Sequence, residues 1–303
     1  MEKKISLAGA VDIGGTKVSV GLVNSKGSVL LKNEFSTPVK EGPEQCIEVI
    51  ASTLESQLFK EKMTFRDLSG IGIGCAGPVD TQLGLIQNPY TLPGWEGYPF
   101  TEILKVRTGK NVTIENDVNA ALLGEVRLKN LSEKRVLMIT FGTGIGVATF
   151  TKSALYAIEN SYHPEMGHMQ IDPTGPHCYC GNSGCFESLC SGKALHKRSQ
   201  ERGYSDFNHL FQAYEKGDQN ALKFMRGVEE HLRTGCWNLM IVFKPEIIIL
   251  GGGIMKRYFK FVSDSIYKGI PETLGLIDLY QLMNAEIDND SALVGGAELI
   301  FRK

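Results

Sequence analysis

Three cysteines, Cys178, Cys180 and Cys185, fall within eight residues of one another, and His168 stands a short loop upstream. Three thiolates and an imidazole form a closed tetrahedral set of the kind that holds structural Zn²⁺. Gly181 and Gly184 lie between the sulfurs, where a chain turning tightly round a metal needs positive φ. A reactive thiol pair or a disulfide would use the same residues, although stable disulfides are rare in reducing compartments. Glu165 and Glu187 bracket the cluster within the stretch 161–187. The metal needs neither, so both carboxylates are free to grip a polyol.

Two glycine turns are the next candidates. Asp12 leads into Gly14-Gly15-Thr16-Lys17, and Phe141-Gly142-Thr143-Gly144-Ile145-Gly146 repeats the pattern further on. Such turns expose successive backbone N–H groups, a concavity suited to phosphate oxygens, though they also serve as plain hairpins. Gly251-Gly252-Gly253 lets a flat ring or ribose approach backbone, or simply turns the chain. Asp117 sits where a strand gives way to a helix, and there a carboxylate is either an N-cap or a general base. Nothing local separates the two.

The elements that must position these groups follow from periodicity. Residues 5–13, 18–23 and 28–35 read as strands, so the chain opens strand, glycine turn, strand, turn, strand. Residues 136–140 and 147–151 repeat that unit, which predicts two domains on a duplicated plan. Pro43 begins a helix with Ile47, Ile50, Ala51, Leu54 and Leu58 at helical spacing, and a long helix spans 220–243. Gly72 to Gly77 matches G-x-G-x-x-G, but Pro78-Val79-Asp80 follow where a dinucleotide fold needs a helix. A strand with a glycine turn fits better.

Composition excludes other classes. A chain of 303 residues with 42% apolar content can bury a large core, and its formal net charge of -2 leaves no footprint for nucleic acid or an anionic membrane. Seven cysteines form no even framework of the secreted kind. Lys3 and Lys4 precede an apolar run that Asp12 interrupts too soon for a signal peptide, and no run approaches a membrane span. A cytoplasmic protein is expected.

VDIGGTK (11–17), GCAGPVD (74–80), ENDVNAALLGE (115–125), FGTGIG (141–146), HPEMGH (163–168), CYCGNSGCFES (178–188) and LGGG (250–253) together resemble the ordered signature set of the ROK sugar kinases. The resemblance spans nearly the whole chain. It implies an actin-like, ribonuclease-H-like α/β fold with two domains and an inter-domain cleft. The smaller domain is expected over 1–118 plus 290–303, and the larger, carrying the zinc loop, over 119–289. The implied activity is ATP-dependent phosphorylation of a hexose at its 6-hydroxyl, with Asp117 as base. The implied phosphate loops are Asp12, Gly14, Gly15, Thr16 and Lys17, with Mg²⁺ near Asp12, and then Thr143 and Gly144. Gly251 and Gly252 are implied at the adenosine, and Asn116, Asp117, Glu165, His168 and Glu187 at the sugar, with Gly77 and Asn88 added. His168 would bind metal through one ring nitrogen and sugar through the other. The family's habit is a homodimer.

The sugar is signalled two ways. His163-Pro164 before Glu165 resembles the fructokinase branch, whereas Cys-x-Cys-Gly is the form of glucose, N-acetylhexosamine and allose kinases. Glucose is the expected substrate; fructose, N-acetylmannosamine, N-acetylglucosamine and allose are the alternatives. Val147 also stands where another glycine is usual. Family repressors add an N-terminal DNA-binding domain, for which Asp12 leaves no room. A non-catalytic sugar sensor would be expected to lack Asp117 or a phosphate loop, and all are present.

Overall fold

The computed structural model describes residues 5–151, 154–156, 163–268, 280–285 and 290–302; Lys3, Lys4, Ser161 and Tyr162 lie outside them. Contacts divide the chain into two units. The first comprises Met1–Glu133, Phe150–Pro164 and Glu286–Lys303, the second Lys134–Thr149 and Glu165–Ala285. Among the described residues, no helix is long and apolar enough to cross a membrane.

The first unit opens with strands β1 (Leu7–Ile13), β2 (Lys17–Asn24) and β3 (Val29–Ser36), then helix α1 (Pro43–Lys60). Next come β4 (Leu68–Cys75), a small hairpin of β5 (Val79–Asp80) and β6 (Leu85–Ile86), α2 (Phe100–Thr108), β7 (Val112–Asn116) and α3 (Asp117–Leu128). The five-stranded sheet has the order β3-β2-β1-β4-β7, with β1, β4 and β7 mutually parallel. Register aligns Asp12 with Gly74 and Gly74 with Glu115, and Ile13 with Cys75 and Cys75 with Asn116. Three strands therefore finish at one edge, the edge where parallel sheets place their ligands.

α1 covers one face, seating Ile47, Ile50, Leu54 and Leu58 on Val11, Ile13 and Val20. Each such fully buried aliphatic stabilises the fold by about 1.5–3 kcal/mol.

A second five-stranded sheet repeats the plan; most of it lies in the second unit, and its residues 150, 151, 154 and 155 are counted with the first. β8 (Val136–Phe141), β9 (Ile145–Thr151) and β10 (Ala154–Leu155) are followed by α4 (Phe186–Cys190), α5 (Gly192–Gln200), α6 (Phe207–Glu215) and α7 (Gln219–Phe243). β11 (Ile247–Gly251), α8 (Met255–Tyr267) and β12 (Gln281–Asn284) complete it. Its sheet order, β10-β9-β8-β11-β12, matches the first, with β11 parallel to β8 and β12. The apolar face of α7, including Met225, Val228, Leu232 and Leu239, lies in a core with Phe141 and Phe186.

The last helix, α9 (Asp290–Phe301), belongs to the first unit. It lies backbone to backbone on α3 and β4. A Cβ on Gly295 would stand 1.6 Å from the Ala120 carbonyl oxygen, and one on Gly72 1.8 Å from that of Gly296. The glycines of β4 thus alternate along a strand to admit helices and do not cradle a dinucleotide. The same packing keeps α3 with the first unit, which runs to Glu133 and not to 118 as the sequence suggests.

Candidate active site

In the first unit the carboxylates gather at the ends of β1 and β7. A Cβ on Gly74 would lie 3.7 Å from Asp12 Oδ1 and 3.6 Å from Asp117 Cα, so a bare glycine lets both acids share one neighbourhood. The Asp12 carboxyl is pushed up to about 6, chiefly by burial, while Lys17 and Lys32 pull it down and Glu34 adds to the rise. Cys75, next along β4, is held far above the usual thiol range by burial, then by the charges of Asp117 and Asp12. The sequence offers Asp117 as the α3 cap or as a base; the cap is its neighbour Asn116. Its Oδ1 accepts from the N–H groups of Val118 (2.9 Å) and Asn119 (3.3 Å). Asp117 is the first helical residue, half-buried, with Oδ1 2.9 Å from the Val118 nitrogen. A negative side chain in the first turn is favoured by the helix dipole.

The first glycine turn is drawn closed by its own backbone, Gly14 N–H donating to the Lys17 carbonyl at 2.9 Å. Thr37 braces it from β3's end, its hydroxyl donating to the Gly14 carbonyl (2.6 Å) and its N–H to that of Thr16 (3.1 Å). The Lys17 ammonium pairs with Glu34 at 2.8 Å. Gly77 is tight against Asn116, whose Nδ2 would stand 2.7 Å from an added Cβ. Asn88 is buried, and its amide is spent within its own loop. Nδ2 donates to the Ala76 carbonyl (3.0 Å) and Thr91 Oγ1 (2.6 Å), and Oδ1 accepts from the N–H groups of Tyr90 and Thr91. Its place here is as a brace for the strand end carrying Gly77.

In the second unit, the sulfurs of Cys178, Cys180 and Cys185 and a ring nitrogen of His168 all lie within 4.8 Å of one another. His168 Nδ1 is 3.4 Å from Cys178 Sγ, and the Cys180 and Cys185 sulfurs are 3.6 Å apart. Tetrahedral zinc with bonds of about 2–2.3 Å needs ligand separations of roughly this size, so the donor set fits. Burial and the adjoining sulfurs hold the Cys185 thiol up at about 12, a cost that a bound cation would offset. Gly181 and Gly184 have φ of 93° and 65°, as the tight knuckle requires. Phe186, fully buried edge-on to Phe141, pins the knuckle to the core.

Glu165, His168 and Glu187 converge beside the second glycine turn. Gly167 makes this possible, since a Cβ there would meet the Ile145 carbonyl oxygen at 2.1 Å. Glu187 Oε2 accepts from the Ile145 N–H at 2.8 Å and stands over Gly144. The Glu165 carboxyl is raised by burial, lowered by His168 and raised again by Glu187. Sequence reasoning missed Tyr179, whose hydroxyl is 3.1 Å from His168 Nε2 and feels the charge of Glu187. Its place between two metal ligands was the available signal.

Gly142 and Thr143 share the lining of an open cavity of about 450 Å³ with Gly192, Lys193, Gly253 and Ile254. Gly252, at φ 91°, packs against the Phe141 backbone, and Gly192 N–H donates to the Gly142 carbonyl at 2.8 Å. Gly251 ends β11 beside Thr140. Lys193 is a second residue the sequence reading missed. It lies in the first turn of α5, whose N-cap is Ser191, so both charge and helix terminus favour an anion there.

The sequence pattern of the ROK family matches residues 8–303. A glucokinase from Thermotoga maritima is 32% identical over 98% of this chain and 98% of its own length. Among solved structures, a ROK hexokinase from Thermus thermophilus superposes with a TM-score of 0.85 at 29% identity, covering 96% of each chain. A ROK family glucokinase from Streptomyces griseus, solved in complex with glucose and AMPPNP, gives 0.73 at 26% identity over 99% of this chain and 100% of its own.

Proposed function

The chain belongs to the ROK family, and from that premise we propose that it is a sugar kinase transferring the γ-phosphoryl group of ATP to the 6-hydroxyl of glucose. The observation that carries the reading is the meeting of Asp12 and Asp117 over Gly74, where the parallel strands end. An alcohol is far too weak an acid to ionise near neutrality. Asp117 accepts the proton of the 6-hydroxyl as that oxygen attacks the phosphoryl group in line, a role typically contributing about 10² to 10⁴ in rate. Asn116 supplies the cap hydrogen bonds of α3, and Asp117, whose Oδ1 also takes the Val118 N–H, has the catalytic role.

Asp12 addresses Mg²⁺, the cation that would offset the burial of its carboxylate. The turns at Gly14–Lys17 and Thr143–Gly144 present N–H groups to phosphate oxygens, and Gly251 and Gly252 admit the adenosine. Asn116, Glu165, His168 and Glu187 hold the sugar, the last three drawn together in the second unit. His168, Cys178, Cys180 and Cys185 would hold a structural zinc, which would fix the loop that carries Glu165 and His168. Metal analysis of protein purified without added zinc should return one zinc per chain; none would refute that assignment.

The test of function is ADP release over glucose, fructose, mannose, allose, N-acetylglucosamine and N-acetylmannosamine. Highest kcat/KM with glucose is expected. Turnover confined to another sugar replaces the substrate, and no turnover with any of them removes the kinase reading.

A further inference from the structure

Tyr179 touches one of the three second-unit residues assigned to the sugar and feels the charge of the other two. Its hydroxyl lies 3.1 Å from His168 Nε2, and the Glu187 and Glu165 carboxylates are near enough to act on it electrostatically. The two rings meet edge to face, with centroids 5.0 Å apart. The direction of these bonds follows from the other side of the imidazole. Nδ1 faces Cys178, and with a metal held there Nε2 would carry the hydrogen and donate to the phenol oxygen. The phenol O–H is then left to the side of the Glu187 carboxylate, which has only acceptors to offer.

One hydroxyl against an imidazole nitrogen and beside a carboxylate stands where a sugar hydroxyl would stand between the same two groups. Neither partner is left unpaired before substrate arrives. Tyr179 as a residue is 58% exposed. Little packing therefore opposes its departure.

We propose that Tyr179 is an affinity- and specificity-determining residue of the sugar subsite, an internal stand-in whose hydroxyl a hexose hydroxyl must displace from His168 and Glu187. The inference rests on the sugar-kinase reading above. Exchange of one hydroxyl for another makes the net gain from this contact small. A polyol that places a hydroxyl between His168 and Glu187 recovers the contact with His168 and meets Glu187 as well. One lacking it there gains nothing for displacing the phenol.

Tyr179→Phe keeps the ring and removes the competitor. KM for the accepted hexose should fall about threefold to tenfold, the range of one net hydrogen bond, with kcat little changed. The gain should shrink towards none for deoxy sugars lacking the hydroxyl in question. Sugar added to wild-type protein should also give a tyrosine difference spectrum in the near ultraviolet that the variant lacks. An unchanged or raised KM in a variant of normal zinc content, or a difference spectrum persisting in it, overturns the proposal while wild-type turnover leaves the kinase reading intact. Absence of both turnover and sugar binding in the wild type removes the two readings together.

Discussion

The two glycine turns stand at the same place in two sheets of identical strand order, between the first and second strand of each, yet they are furnished from different sources. The turn at Gly14–Lys17 takes its acid from its own strand, since Asp12 precedes it by two residues. The turn at Gly142–Gly144 takes its acid from far along the chain, where Glu187 in α4 accepts from Ile145 N–H at 2.8 Å. The repeated topology fixes where a glycine turn can be, while the acid beside each turn is supplied separately. In the first unit it comes from strand ends. In the second it comes from a loop that a four-ligand knuckle holds in shape.

The largest effect expected from that contrast is on catalysis. Asp117→Asn keeps the volume at the start of α3, and Asn116 still supplies the cap, so folding should be preserved. Steady-state kinetics should show kcat reduced by about 10² to 10⁴, with sugar affinity by calorimetry little altered. Near-normal kcat would assign the base elsewhere and blur the division between a unit that reacts and a unit that grips.

Asp12 offers the next largest effect, read as stability against pH with no divalent cation added. Its carboxyl titrates near 6 in the folded chain against 3.8 as the ordinary value. Between those pH values the folded state holds the extra proton, so stability falls as pH rises through the window. Above about pH 6 both states are ionised, and the full penalty of the buried charge, on the order of 2–3 kcal/mol, is present. Asp12→Asn should therefore match wild type in thermal melts near pH 4 and exceed it above pH 6. A constant gap across that range would mean that Lys17 and Lys32 already compensate the charge.

Much of this was legible in the residues. Strand and helix positions followed from alternation and helical spacing, and the duplicated opening announced the shared sheet order. The knuckle was legible because few other arrangements require three cysteines and a histidine with glycines between them. Contacts with side chains remote in sequence were not. Spacing could not tell that Asn88 spends its amide on Ala76, Tyr90 and Thr91, or that Asn116 caps α3 ahead of Asp117. Nor could it tell that Gly72 and Gly295 are required by a terminal helix. Tyr179 and Lys193 were hidden for the same reason, each being an ordinary surface residue type until the fold places it.

The smallest effect tests the remote acid of the second turn. Ile145 is buried, and its N–H depends on Glu187 Oε2. Glu187→Ala removes that acceptor and should cost about 1 to 2 kcal/mol in denaturant unfolding, the penalty of one buried donor left unpaired. Glu187→Gln retains a carbonyl oxygen at the same reach and should unfold within about 0.5 kcal/mol of wild type, less than the loss of one net hydrogen bond. Both variants lose the charge that would grip a sugar hydroxyl, so KM for the hexose should rise in each. Agreement in KM with a difference in stability separates the two tasks of one carboxylate, bracing the turn through its geometry and holding the polyol through its charge. Equal stability of the two variants would mean that the turn stands without Glu187, and that both glycine turns are closed by their own backbone alone.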